Sequence, residues 1–127
     1  MWNATAAIAL EQTGGCEWVV EAHGCNDELL RDITCLQQVF ARIISEVGLH
    51  PVADSVWHKF PGAGGVTGLA LLSESHLACH TFPEYRSACF NLFCCKPRSE
   101  WEFDARLKEM LEAATVTVRR IDRPYQP

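Results

Sequence analysis

Apolar residues recur every three or four positions between Leu29 and Val47, which is the spacing of one face of an α-helix. Asn26 precedes this stretch and suits the N-cap, where a side-chain oxygen accepts the unpaired N–H groups of the first turn. Gly48 follows it and suits the C-terminal end, where the chain turns into the left-handed region. We therefore predict one long helix between Asn26 and Gly48, with its apolar stripe in the core.

Short apolar and β-branched runs, separated by turn residues, occupy most of the remaining chain and predict strands. A second helix is predicted from Ser99, as its cap, to about Ala113. The predicted strands are Glu17–His23, Ala53–Phe60, Val66–Ser73, His76–Phe82, Ser87–Cys94 and Thr115–Ile121.

This element order, β-α-β-β-β-β-α-β, favours an α+β fold: an antiparallel sheet with both helices on one face. The other face of the sheet then needs cover, and a second copy of the chain would supply it in a homodimer. Residues 17–122 are predicted to form the single domain, residues 1–16 a flexible N-terminal arm, and residues 123–127 a tail.

Size and charge exclude several classes of function. The chain has 127 residues, 48% of them hydrophobic, which suits one domain with a real core. The net charge of −5 and the lack of a long Lys/Arg cluster argue against binding to nucleic acid. No apolar run approaches the ~20 residues of a membrane span, and the N-terminus lacks the basic start of a secretory signal. We expect a cytoplasmic protein that binds a small molecule and no membrane.

Seven cysteines are many for this length, and no Cys-x-x-Cys pair occurs among them. In a reducing compartment they are expected to be free thiols, mostly small buried apolar residues. A zinc site is the alternative, although no paired ligand spacing supports it. Its candidate ligands are Cys79, Cys94, Cys95, His76 and His80.

The segment 65–95 carries the candidate chemistry. Glu74 and Ser75 stand between two apolar strand-like runs, with Thr67 upstream and His80 and Cys95 downstream. Taken alone, Ser75 could be an ordinary turn residue of a hairpin, and His80 a hydrogen-bonded core histidine. The interpretation changes when the surrounding motifs are considered together.

Four linked motifs, G-V-[ST]-G, E-S-H-L, H-T-[FW]-P-E and [ND]-L-[FY]-x-C, occur in order between Gly65 and Cys95. In them the chain resembles the bacterial S-adenosylmethionine decarboxylase proenzymes, and a thinner similarity extends from Glu17 to the second helix. The resemblance implies an α/β sandwich in which two protomers pack sheet to sheet. It also implies a proenzyme that cleaves itself between Glu74 and Ser75 and converts Ser75 into a pyruvoyl group.

The resemblance implies a role for each residue of this set. Thr67 would stabilise the oxyanion formed when the Ser75 hydroxyl attacks the Glu74 carbonyl, and His80 would remove the Ser75 α-proton. The pyruvoyl group would form a Schiff base with the substrate amine, so neither a metal nor pyridoxal phosphate is expected. Cys95 would protonate the product carbanion.

For substrate binding, the resemblance implies that Glu84 contacts the ribose and Phe60 stacks on the adenine, and Glu21 is a weaker candidate. Departures from the family pattern could alter this pocket; they are Gly64, Asn91, Cys94 and Lys96. The expected reaction is decarboxylation of S-adenosylmethionine, which supplies the aminopropyl donor for spermidine. Two alternatives stay open: the same machinery acting on arginine or ornithine, and a non-catalytic relative that binds a ligand.

Overall fold

A six-stranded antiparallel sheet is the largest element of the structure, a computed structural model that describes residues 14–125. In chain order the strands are β1 (Gly14–His23), β2 (Val56–Lys59), β3 (Val66–Leu72), β4 (Ser75–Phe82), β5 (Ser87–Cys94) and β6 (Thr115–Pro124). Across the sheet they lie in the order β2-β3-β4-β5-β1-β6, and every neighbouring pair is antiparallel. The predicted α+β class and antiparallel sheet are confirmed.

Three strands at or next to the edges of the sheet, β1, β6 and β2, differ in length from the prediction. β1 and β6 pair along their whole length, with Gly14 opposite Pro124. Residues 14–16 and 123–124 therefore belong to the sheet, not to an arm and a tail; residues 1–13 and 126–127 lie outside the described residues. At the other edge, β2 is shorter than the predicted strand and covers only Val56–Lys59.

The first predicted helix is in fact two helices, α1 (Asp27–Leu30) and α2 (Ile33–Val47). Asn26 caps α1 as predicted, because its side chain accepts backbone N–H groups of the first turn. The prediction of one continuous helix is wrong because Asp32 adopts an extended conformation and caps a new helix start with its own carboxylate. Gly48 ends α2 with a φ of 80°, as predicted.

The second predicted helix is shorter than expected and spans Phe103–Met110 (α3). Ser99 is not its cap; the N-cap position is Glu102, whose side chain makes no capping hydrogen bond. Just before the helix, the buried Trp101 donates its indole N–H to the Glu46 carboxylate at 2.7 Å. This bond fixes the connection from β5 against α2.

All three helices pack on one face of the sheet, as predicted. Alternate strand residues are buried beneath them, including Trp18, Val20, Leu77, Cys79, Phe90 and Leu92. The opposite face, called the open face below, carries exposed apolar side chains between its polar ones. The largest of these are Val56, Leu69, Leu71, Phe82 and Ile121. Within the described residues, no helix has both the length and the apolar character needed to cross a membrane.

Candidate functional site

The hairpin between β3 and β4 places the predicted cleavage point in a tight turn. Leu72 pairs with Ser75, so only Ser73 and Glu74 form the loop. Glu74 has a φ of 64°, in the left-handed region that favours glycine. A non-glycine residue held there stores about 1 kcal/mol or more of backbone strain. The strained residue is the one whose carbonyl carbon belongs to the peptide bond predicted to break.

The Glu74 carbonyl oxygen accepts a hydrogen bond of 2.7 Å from the backbone N–H of Cys95. This donor is already directed at the oxygen on which negative charge would develop if a nucleophile attacked the carbonyl carbon. The Glu74 side chain also pairs with Lys96, with 3.3 Å between Oε1 and Nζ. Sequence reasoning missed both contacts, because they depend on β5 lying beside β4.

Ser75 lies beside this carbonyl and is almost completely buried. Its side chain points to the helix-covered face, and its hydroxyl lies 3.5 Å from the Ser73 carbonyl oxygen. Across the strands its partner is Cys94. Burial raises the pKa of the Cys94 thiol to about 12. Cys94 is thus a protonated core residue, which leaves the half-buried Cys95 as the cysteine of this pair that can reach solvent or substrate.

Thr67 and His80 form a hydrogen-bonded pair on the open face. They are direct partners between β3 and β4, and the Thr67 hydroxyl lies 2.9 Å from the His80 Nδ1 atom. If Nδ1–H donates to the hydroxyl, the imidazole Nε2 carries a free lone pair. Such a tautomer is the one that a general base requires.

The structure does not bring this pair to Ser75 within one chain. Ser75 and His80 are five residues apart on the regular strand β4, a separation of about 16 Å along the strand. An odd separation also puts the two side chains on opposite faces of the sheet. The same geometry keeps the Thr67 hydroxyl away from the Glu74 carbonyl. Within a single chain these groups therefore do not converge.

Two of the three predicted substrate-binding residues, Phe60 and Glu84, come together. One cleft of about 400 Å³, at the start of β3 and the end of β4, is lined by Phe60, Thr67, His80, Phe82 and Glu84. It offers aromatic surface, a carboxylate and an imidazole. A wider groove of about 700 Å³ lies between the start of β1 and the end of β6, and none of the predicted site residues lines it.

Glu21 lies on the open face in the same transverse row as the cleft. Cys89 of β5 separates it from His80, because Cys89 pairs with both residues. The Glu21 carboxylate is 2.8 Å from Arg119 on β6. Glu21 is thus a flank of the cleft and not one of its lining residues.

A buried threonine that sequence reasoning missed holds the cleft in place. Thr81 accepts the Val66 backbone N–H at 2.9 Å and donates its hydroxyl to the Leu30 carbonyl at 2.7 Å. It therefore ties β3 and β4 to α1 immediately beside His80. The signal in the sequence was its place within the H-T-[FW]-P-E motif.

The candidate zinc ligands are not gathered at one point. Cys79 and Cys94 point into the core, whereas His76 and His80 lie on the open face. Among residues 14–125, no group of three or more His, Cys, Asp or Glu side chains is arranged to hold a metal ion.

These features define a class of protein: a one-sheet α+β protein with a strained, hydrogen-bonded hairpin turn and a mostly apolar cleft that carries an imidazole and a carboxylate, on an uncovered sheet face. Comparison with known proteins is more specific. A family model described as S-adenosylmethionine decarboxylase matches residues 16–124.

Curated relatives carry the same description. The chain is 35% identical over 106 residues to the S-adenosylmethionine decarboxylase proenzyme of Moorella thermoacetica, covering 83% of each chain. It is 34% identical over 110 residues to that of Pelotomaculum thermopropionicum, with 86% of each covered, and 32% identical over 113 residues to that of Syntrophomonas wolfei, with 88% covered. The chain belongs to the S-adenosylmethionine decarboxylase family, a family of pyruvoyl-dependent carboxy-lyases, so the predicted family and enzyme class are confirmed.

Proposed function

We propose that this chain is a self-cleaving proenzyme that decarboxylates S-adenosylmethionine. The observation that carries the proposal is Glu74, whose φ of 64° is strained and whose carbonyl oxygen accepts the Cys95 N–H at 2.7 Å, next to Ser75 in the chain. Backbone strain in the residue that carries the carbonyl and a preorganised donor on its oxygen are features that favour attack on that carbonyl.

Cleavage would begin with a shift of the Glu74 acyl group from nitrogen to the Ser75 oxygen, whose proton passes to the nitrogen. The Ser75 oxygen bonds to the Glu74 carbonyl carbon, and the C–N bond breaks, so that the amide becomes an ester with a free amine at position 75. A base then takes the Ser75 α-proton, and the ester oxygen leaves with Glu74 as a carboxylate. The remaining dehydroalanine tautomerises to an imine, which water hydrolyses with release of ammonia. Position 75 then carries a ketone, the pyruvoyl group.

When formed, the pyruvoyl ketone supplies an electron sink for loss of carbon dioxide from a bound amino acid. The residues of this chain would hold the substrate and move protons. Cys95, half-buried next to the cleavage point, is the proposed proton donor to the product. His80, oriented by Thr67, is the proposed base of the processing step.

The site is completed, we propose, by a second copy of the chain. The cleft with His80 and the turn with Ser75 are too far apart in one chain, and the open face carries apolar side chains, such as Leu69 and Leu71, that are more than half exposed. Sheets that pack face to face lie about 10 Å apart, which brings side chains of the two inner faces into contact. A sheet-to-sheet dimer would cover this face and bring Thr67 and His80 of the partner subunit towards the backbone of the 74–75 turn, where His80 would act on the Ser75 α-proton and not on the buried hydroxyl.

The cleft favours an adenosyl substrate over a free basic amino acid. Phe60 offers a ring face of the kind that stacks on a purine or attracts a sulfonium, and Glu84 offers a carboxylate that can accept hydrogen bonds from ribose hydroxyls. Arginine and ornithine can present a cation to Phe60 and Glu84, but they have neither a purine to stack nor ribose hydroxyls to bind, so they use less of the cleft. A small soluble substrate also agrees with the cytoplasmic location predicted from the sequence.

Release of carbon dioxide from carboxyl-labelled S-adenosylmethionine, arginine and ornithine tests the substrate. We expect release from S-adenosylmethionine alone, and a Phe60→Ala variant should raise its KM about tenfold or more through lost stacking. Release from an amino acid alone would overturn the substrate and keep the chemistry. Absence of release from all three by a cleaved protein would favour the non-catalytic relative.

A further inference from the structure

Tyr125, the last described residue, contacts the backbone of the candidate proton donor. Its hydroxyl donates a hydrogen bond to the Cys95 carbonyl oxygen. The position of Tyr125 follows from the pairing of Gly14 with Pro124, which ends β6 beside the start of β1. A residue that the sequence places in a tail is therefore held at the cleavage turn.

The Cys95 segment is held from three directions. Its N–H donates to the Glu74 carbonyl, and its own carbonyl accepts from Tyr125. From the third direction β1 packs against the backbone, because a Cβ atom on Gly15 would lie 2.2 Å from the Cys94 carbonyl oxygen. A shift of the Cys95 backbone would thus break the hydrogen bond from Tyr125 or move the Cys95 N–H away from the Glu74 carbonyl oxygen.

The Tyr125 side chain is 45% exposed, so water can replace its hydrogen bond in a variant without leaving a buried group unpaired. The hydrogen bond therefore contributes little to the stability of the core. What it supplies is a fixed position for the Cys95 carbonyl group. Partial burial and the Cys95 contact raise the pKa of the Tyr125 hydroxyl, which keeps it a donor at neutral and mildly alkaline pH.

We propose that Tyr125 is a positioning residue for self-cleavage. By binding the Cys95 carbonyl it holds the Cys95 backbone in place, so that the Cys95 N–H stays on the Glu74 carbonyl oxygen. The inference rests on the proposed function, since it concerns the first step of cleavage. It extends the site to the C-terminal end of the chain, which none of the predicted site residues reached.

A Tyr125→Phe variant tests this, with Tyr85→Phe as its matched control. Tyr85 is 77% exposed, and its hydroxyl makes no hydrogen bond within the described residues. The full chain is made in a cell-free system, and loss of the unbroken form is followed by denaturing electrophoresis. We expect Tyr125→Phe to cleave about fivefold more slowly, equivalent to about 1 kcal/mol, and Tyr85→Phe to cleave at the normal rate.

A second measurement isolates the step. In a His80→Ala background the base is absent, and hydroxylamine cuts any ester that forms at Ser75, so the hydroxylamine-dependent rate reports the acyl shift. Tyr125→Phe should slow this rate by the same factor while the thermal unfolding midpoint stays within about 2 °C.

Equal rates for Tyr125→Phe and the parent would overturn the positioning role. So would a slower rate that is fully accounted for by a lower unfolding midpoint. Absence of cleavage in the unmodified chain, with or without hydroxylamine, would instead overturn the proposed function itself.

Discussion

The Thr67 hydroxyl and the His80 Nδ1 atom lie 2.9 Å apart on the open face of the sheet, and the Ser75 side chain points to the opposite face. The strand between His80 and Ser75 is regular, which sets the two side chains about 16 Å apart along it. A general base must approach within hydrogen-bonding distance of the proton it removes. Within one chain, His80 therefore cannot act as the base for Ser75. It can do so only for the Ser75 of another chain.

Complementation between two inactive chains tests this arrangement. Ser75→Ala and His80→Ala chains, each made alone, should stay unbroken. Made together with different tags, they should give mixed dimers in which the His80→Ala chain is cleaved, because its Ser75 meets the His80 of the partner subunit. With equal expression and random pairing, about half of the His80→Ala chains should be cut. Purified mixed dimers in which both chains remain unbroken would contradict the shared site.

The role of Thr67 as the orienting partner of His80 is tested by Thr67→Val. Valine keeps the shape of threonine but removes the hydroxyl, so the imidazole loses the contact that selects its tautomer. Cleavage should slow by about tenfold, or about 1.4 kcal/mol of activation free energy. Thr67→Ser retains the hydroxyl and should cleave near the normal rate. Equal rates for the valine and serine variants would remove the hydroxyl from the mechanism.

Replacement of Cys95 should separate processing from turnover. Cys95→Ala keeps the backbone N–H that contacts Glu74, so the chain should still cleave. Turnover should fall by about 10² to 10⁴, the usual contribution of a positioned acid. The matched control is Cys94→Ala, whose buried side chain faces the core. It should lose about 1 kcal/mol of stability but keep its turnover per folded enzyme. Unchanged turnover in Cys95→Ala would exclude it as the donor.

The pH dependence of stability should report Glu17. The Asn91 amide donates to its carboxylate at 2.6 Å, and this bond, together with Arg123, lowers the pKa of Glu17 against the opposing effect of burial. A lowered folded-state pKa means that the stabilisation is present above the unfolded pKa of about 4.3 and is lost as pH falls through the folded pKa.

Urea unfolding of the natural chain and Glu17→Gln, at one protein concentration, measures this effect. We expect the natural chain to be more stable by about 1 to 2 kcal/mol at pH 7, with the difference shrinking toward zero below pH of about 4. A difference that stays constant across this range would show that the Glu17 charge contributes nothing.

Much of the fold could be predicted because its signals are local. Alternating apolar residues predicted β4 and β5 to within one residue at each end, and turn residues separated them. The interruption between α1 and α2 was missed because Leu29, Leu30 and Ile33 keep the helical spacing across it. In the sequence, only Asp32, a residue type that caps helices, marks the break between α1 and α2.

The candidate site was likewise predictable only in part. The motifs pointed to the candidate residues, and the sequence already shows that Ser75 and His80 are an odd number of residues apart. Contacts between strands could not be predicted from the sequence. The hydrogen bonds from Cys95 to Glu74 and from Tyr125 to Cys95 depend on the lateral order of β4, β5, β1 and β6. That order is set by packing under the helices and not by any single segment.

The intact mass of freshly purified, folded protein tests the central claim most directly. Self-cleavage predicts two fragments, residues 1–74 ending in Glu74 and residues 75–127 with a ketone in place of the Ser75 amine, and it predicts one unbroken chain for Ser75→Ala. A carbonyl-trapping hydrazide should add to the second fragment alone. A folded natural chain that keeps its full mass and does not react with the hydrazide would contradict the account.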